Sequence, residues 1–81
     1  MPSIPPTSAQ LGAAIRLLRE QREITIETLA GKAKVHWTYL SRIERGKANP
    51  SWDILRRLAI AIEVEIAEFV RLGGEQDLSN G

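Results

Sequence analysis

Thr25 to Gly46 reads T-I-E-T-L-A-G-K-A-K-V-H-W-T-Y-L-S-R-I-E-R-G. Two short helical patterns stand almost back to back in it. The first sets Leu29 and Ala30 on one face, with Thr25 as its N-cap. The second turns Tyr39, Leu40 and Ile43 inward, with His36 a weaker N-cap candidate. Lys34 and Val35 leave only a tight turn between them, and helices joined so closely cross steeply, as in a helix-turn-helix. Small Ala30 lets the second helix approach, and Val35, Leu40 and Ile43 plug the angle. The second helix keeps an outer face of Trp37, Thr38, Ser41, Arg42 and Arg45. That mixture of polar, basic and aromatic groups suits a helix laid in the major groove of DNA.

Working outward, Thr7 followed by Gln10 reads as a capping box that starts a first helix near Ser8. Leu11, Ile15 and Leu18 form its core stripe, and Gly12 among them implies a close helix contact, because glycine costs about 1 kcal/mol in a helix interior. The second helix spans about Ile26–Lys32 and the third about His36–Arg45. Gly46 stops the third, and Ser51 caps a fourth over Trp52–Ile62. Ile54, Leu55, Leu58, Ala59 and Ile62 are its buried stripe; Arg56 and Arg57 are solvated, and Ile60 lies off the stripe. A fifth helix, Ile66–Leu72, ends at Gly73-Gly74. The expectation is therefore an all-α, compact five-helix domain over residues 8–72, with the helix-turn-helix at about 26–45. A proline-rich flexible arm at 1–7 precedes it, and a flexible acidic tail at 73–81 follows. The fifth helix is very apolar for a short terminal one, so Ile60, Ile66, Phe69 and Val70 are expected at a homodimer interface.

Eighty-one residues make one small domain of limited core. The absence of cysteine removes disulfides and thiolate zinc sites, and the single histidine, His36, leaves no metal site to expect. No cofactor is implied. Met1 to Thr7 has no basic, apolar leader pattern, and no apolar run approaches the ~20 residues of a membrane span. A soluble, cytoplasmic protein with no membrane partner is expected. Net charge is only +1, but it is polarised. Residues 31–50 carry Lys32, Lys34, Arg42, Arg45 and Lys47 against Glu44 alone; residues 63–81 carry Arg71 against Glu63, Glu65, Glu68, Glu75 and Asp77. A basic motif beside an acidic end suits a molecule that presents one face to phosphates, and equally describes ordinary surface charge.

L-A at Leu29-Ala30, Val35 after the turn, Y-L-S-R-I-E-R-G at Tyr39 to Gly46 and N-P-S at Asn49 to Ser51 together resemble the phage-repressor helix-turn-helix family, the lambda-repressor/Cro-like or XRE family. Leu11-Gly12 and Ile15 to Arg19 resemble its first helix, so the likeness covers about residues 8–70. The resemblance implies a lambda-repressor-like fold in which Arg19 and Glu44 form a structural salt bridge. It implies base reading by Trp37, Thr38, Ser41 and Arg42. Arg42 is long enough to address guanine O6 and N7; Trp37 either meets the groove or lies flat as a surface anchor. Arg45, Lys47, Asn49 and Ser51 are expected on phosphates. Two positions depart from the family. Ile26 replaces the glutamine that reaches a phosphate, leaving only the backbone amide there, and Lys34 replaces the turn glycine. H-x-T-Y at His36 to Tyr39 is similar to restriction–modification controller proteins of this family.

These readings converge on a sequence-specific regulator of transcription that binds double-stranded DNA as a homodimer on a near-palindromic operator. The alternative is an antitoxin or adaptor-type protein-interaction module built on the same fold, with a protein partner that the residues do not specify. No nucleophilic cysteine or glycine-rich phosphate loop is present, and no enzyme is expected.

Overall fold

The computed structural model describes residues 4–78. It contains five helices and, among the described residues, no strand: α1 Ser8–Gln21, α2 Ile26–Ala33, α3 Trp37–Glu44, α4 Trp52–Ile62 and α5 Ile66–Glu75. Four of the five starts follow from a side chain that accepts from an otherwise unpaired helix amide. Thr7 accepts from the Gln10 amide while the Gln10 side chain accepts from Thr7, completing the capping box. Thr25 caps α2, His36 caps α3 and Ser51 caps α4. α5 starts at Ile66, and Glu65 before it makes no side-chain cap.

The ends follow a second rule. Glu23, Lys34, Gly46 and Glu63 adopt left-handed backbone conformations with φ of 57°, 59°, 73° and 67°. After each, the next amide reaches back five residues: Ile24 to Arg19, Val35 to Ala30, Lys47 to Arg42 and Val64 to Ala59. Four helices thus close with the same reversal, and glycine supplies only one of them. Lys34 accepts the strained conformation that the family assigns to glycine.

α1 packs on α3 and α5, α2 packs on α3 and α4, and α4 meets α5. Ile15, Leu18, Leu29, Ala30, Ala33, Leu40, Ile43, Leu58, Ala59, Ile62 and Phe69 form one core, with Leu11, Val35, Ile54 and Leu55 against it. Gly12 sits where α1 crosses α3: a Cβ there would lie 2.1 Å from the Ile43 carbonyl oxygen. The close contact expected of that glycine is present.

Several expectations are corrected. Phe69 is fully buried beneath α5 and cannot form part of a dimer interface, because its aromatic surface already fills the core. Ile66 is half-buried and packs on the same core, whereas Ile60 (63% exposed) and Val70 (48%) face outward. Gly73-Gly74 does not end α5, which runs through both to Glu75. Gly73 is buried, and a Cβ on it would come within 3.0 Å of Pro6. The segment before α1 is therefore packed at Pro6 instead of hanging free, and Gln10 donates to the Gln76 backbone oxygen across the same corner. The expected arm at residues 1–3 and the last three tail residues lie outside the described residues. Among the described residues no helix is long and apolar enough to cross a membrane.

Candidate nucleic-acid interface

Position begins with a buried ion pair. Arg19 on α1 donates from Nε to Glu44 Oε2 at 2.8 Å and from Nη2 to Oε1 at 3.0 Å, while Nη1 donates to the Ile24 carbonyl at 2.9 Å. Glu44 ends α3, where the helix dipole disfavours an anion, and it is nearly buried; the guanidinium compensates both. The hydrogen bonding to Glu44 holds the Arg19 guanidinium above its ordinary value, outweighing the opposite effect of burial. With Gly12 against the last turn of α3 and Arg19 gripping Glu44, the far end of α3 is fixed to α1. The near end is fixed by Lys34 and Val35, and Arg57 of α4 donates to the Lys34 carbonyl at 3.4 Å.

Leu40 and Ile43 face inward, so Trp37, Thr38, Arg42 and Arg45 are exposed on the opposite side of α3. Trp37 is 49% exposed, with its ring stacked on that of His36 at 6.4 Å between centroids. Thr38 contacts His36 Nδ1 through both its amide and its hydroxyl. Ser41 is half-buried, and its carbonyl accepts from Arg45 Nε at 3.3 Å. Arg42 is exposed and donates from Nη2 to the Lys47 carbonyl at 3.3 Å, so its guanidinium lies toward the loop after α3. The expected base readers therefore share one face, Ser41 at its half-covered edge.

The expected phosphate contacts flank this face. Lys47 is exposed. Asn49 is fixed twice: its side-chain oxygen accepts from the Ser8 hydroxyl, and its carbonyl accepts from the Tyr39 hydroxyl at 3.4 Å. Ser51 Oγ accepts from the Ile54 amide at 3.1 Å, which leaves the first amides of α4 without a partner inside the helix. Ile26 packs its side chain on the core, so only the α2 backbone can face a phosphate there. Sequence reasoning missed the Ser8–Asn49 link, which joins residues 41 apart and leaves no trace in local spacing. It also missed the hydroxyl contact between Thr38 and His36, which the two-residue separation could have suggested.

A family model described as a helix-turn-helix domain matches residues 10–72. The chain belongs to the helix-turn-helix family. Among the relatives of this helix-turn-helix chain, the HTH-type transcriptional regulator SlrR of Bacillus subtilis (strain 168) is 41% identical over 59 residues, 72% of this chain and 39% of that protein. The immunity repressor protein of Bacillus phage phi105 is 35% identical over 68 residues, 84% of this chain and 45% of that protein. The chain spans half or less of the length of the curated relatives it matches. Two crystal structures match over most of the length of both chains. The restriction–modification controller protein C.AhdI from Aeromonas hydrophila superposes with a TM-score of 0.76 at 31% identity, covering 76% of this chain and 94% of that one. The clp gene regulator ClgR from C. glutamicum gives 0.81 at 30% identity, covering 89% and 95%.

Proposed function

We propose that the chain is a sequence-reading regulator of transcription that binds duplex DNA as a homodimer, one α3 in each of two successive major grooves. The observation that carries this reading is the outer face of α3, where Trp37, Thr38 and Arg42 stand exposed on a helix clamped at both ends. Lys47, Asn49, Arg45, the Ile26 amide that opens α2 and Ser51, the N-cap of α4, flank it as phosphate partners. In this arrangement phosphates set register and salt dependence, and α3 side chains set sequence. Arg42 leaves the Lys47 carbonyl to address a guanine, and Ser41 permits close approach. The names of the relatives, regulators and repressors, support a role in transcription.

Ile60 and Val70, exposed on two helices that touch each other, support assembly through α4 and α5, and Ile66 is left partly uncovered. A two-fold axis there gives a near-palindromic operator with half-sites ~34 Å apart. Selection from random duplex DNA, with affinity for the winner followed across salt, tests the reading. A two-fold symmetric motif with a steep salt dependence is the expected result. Weak binding with no enriched motif overturns it and turns attention to protein partners of the same fold.

A further inference from the structure

His36 does more than begin α3, an inference that rests on the DNA-reading role just proposed. The Thr38 amide lies 3.3 Å from His36 Nδ1, and the Thr38 hydroxyl lies 2.7 Å from the same nitrogen. An amide N–H can only donate, so Nδ1 is the acceptor and carries no proton; the neutral ring holds its proton on Nε2. An acceptor nitrogen in turn requires the hydroxyl to donate across the 2.7 Å contact. A hydroxyl has one proton and two lone pairs. With that proton committed to His36, exposed Thr38 has only lone pairs and a methyl group to offer DNA. A threonine without such a partner rotates to suit a donor or an acceptor alike. Stacking of the His36 ring on Trp37 restrains the imidazole that imposes the choice.

We infer that His36 is a positioning residue that fixes Thr38 as a hydrogen-bond acceptor, so that Thr38 reads the exocyclic amino group of cytosine or adenine in the major groove. Capping alone is the competing account. It changes helix stability and overall affinity but leaves base preference untouched.

The test uses the selected operator, with binding measured for every single base-pair change and for analogues in which the contacted base lacks its amino group. The proteins compared are the wild type, Thr38→Val, His36→Asn, His36→Ala and the His36→Ala/Thr38→Val double variant. Removing the amino group at the position sensitive to Thr38→Val is expected to weaken wild-type binding about three- to tenfold, the scale of one hydrogen bond. Asparagine both caps a helix and accepts from the hydroxyl, so His36→Asn retains that discrimination. His36→Ala still loses affinity when the amino group is deleted, but it loses the preference for an amino group over an oxygen acceptor at that position, because the freed hydroxyl can rotate to donate. It adds nothing there when Thr38 is already valine. Helix content and thermal midpoint, recorded for each variant, separate reading from folding. A preference for an amino group over an oxygen acceptor that survives in His36→Ala overturns the inference, as does a His36→Ala loss that is equal for all sequences. A Thr38→Val protein with unchanged preferences overturns it too. Each of those results leaves DNA reading intact, whereas a wild type that selects no motif removes both.

Discussion

Arg19 and Glu44 show how much one pair of residues decides. Removing the guanidinium strands a nearly buried carboxylate at the end of α3, and Arg19→Ala is expected to cost about 3–5 kcal/mol, read as a lower urea midpoint. That is a large share of the 5–15 kcal/mol typical of a domain. The pH dependence has a definite sign. A cation raised in the fold contributes fully below its ordinary value and loses that contribution only as pH rises through the raised one. No loss through Arg19 therefore falls in the neutral range. Glycines divide just as sharply. Gly12→Ala drives a methyl into the Ile43 carbonyl and is expected to cost roughly 1–3 kcal/mol, whereas Gly31→Ala meets nothing within 4 Å and gains about 0.8–1 kcal/mol of helix propensity. Thermal unfolding of the two variants gives opposite shifts. Gly12 was legible because it interrupts an apolar stripe. Gly73 was not, because a glycine pair after an apolar run reads as a stop unless the packing of Pro6 is known.

At the scale of the element, the caps were largely written in the chain: Thr7 with Gln10, Thr25 and Ser51 all cap where expected. The ends were harder to see, since Glu23, Lys34 and Glu63 occupy left-handed positions where glycine is the usual signal. What marks them is the branched apolar residue that follows, Ile24, Val35 and Val64, each drawn against the core as its amide reaches back. Lys34→Gly and Glu63→Gly remove about 1–2 kcal/mol of steric strain and add about 0.5–1 kcal/mol of unfolded-chain entropy. Each is expected to stabilise by up to ~1 kcal/mol in urea titrations. α5 was misread because its apolar content does not say which side faces in. Ile66, Phe69 and Gly73 lie toward the core, and Val70 is the large apolar residue of α5 left exposed.

For the whole molecule, the proposed regulator divides its tasks between the outer face of α3 and the exposed Ile60 and Val70 of α4 and α5. Ile60→Asp with Val70→Asp is expected to give monomers that keep their helix content and bind the operator much more weakly, checked by sedimentation, circular dichroism and titration. An aspartate at Phe69 would unfold the domain and says nothing about assembly. Lys47→Ala is expected to weaken binding to all sequences and flatten the salt slope by about one per subunit. The core, the turn and the exposed outer face of α3 were legible because they rest on periodicity and on side-chain type. The links that hold the face together, Ser8 to Asn49 and Arg57 to the Lys34 carbonyl, join distant segments and emerge only with the fold. The most direct measurement is a base-pair substitution scan of the selected operator, run with the wild type and with Arg42→Ala. The account predicts that Arg42→Ala loses about 1–3 kcal/mol per contact and relaxes preference at two base pairs only, one in each half-site, symmetric about the centre. An unchanged profile, or a loss spread evenly over every position, would contradict the claim that α3 reads the sequence.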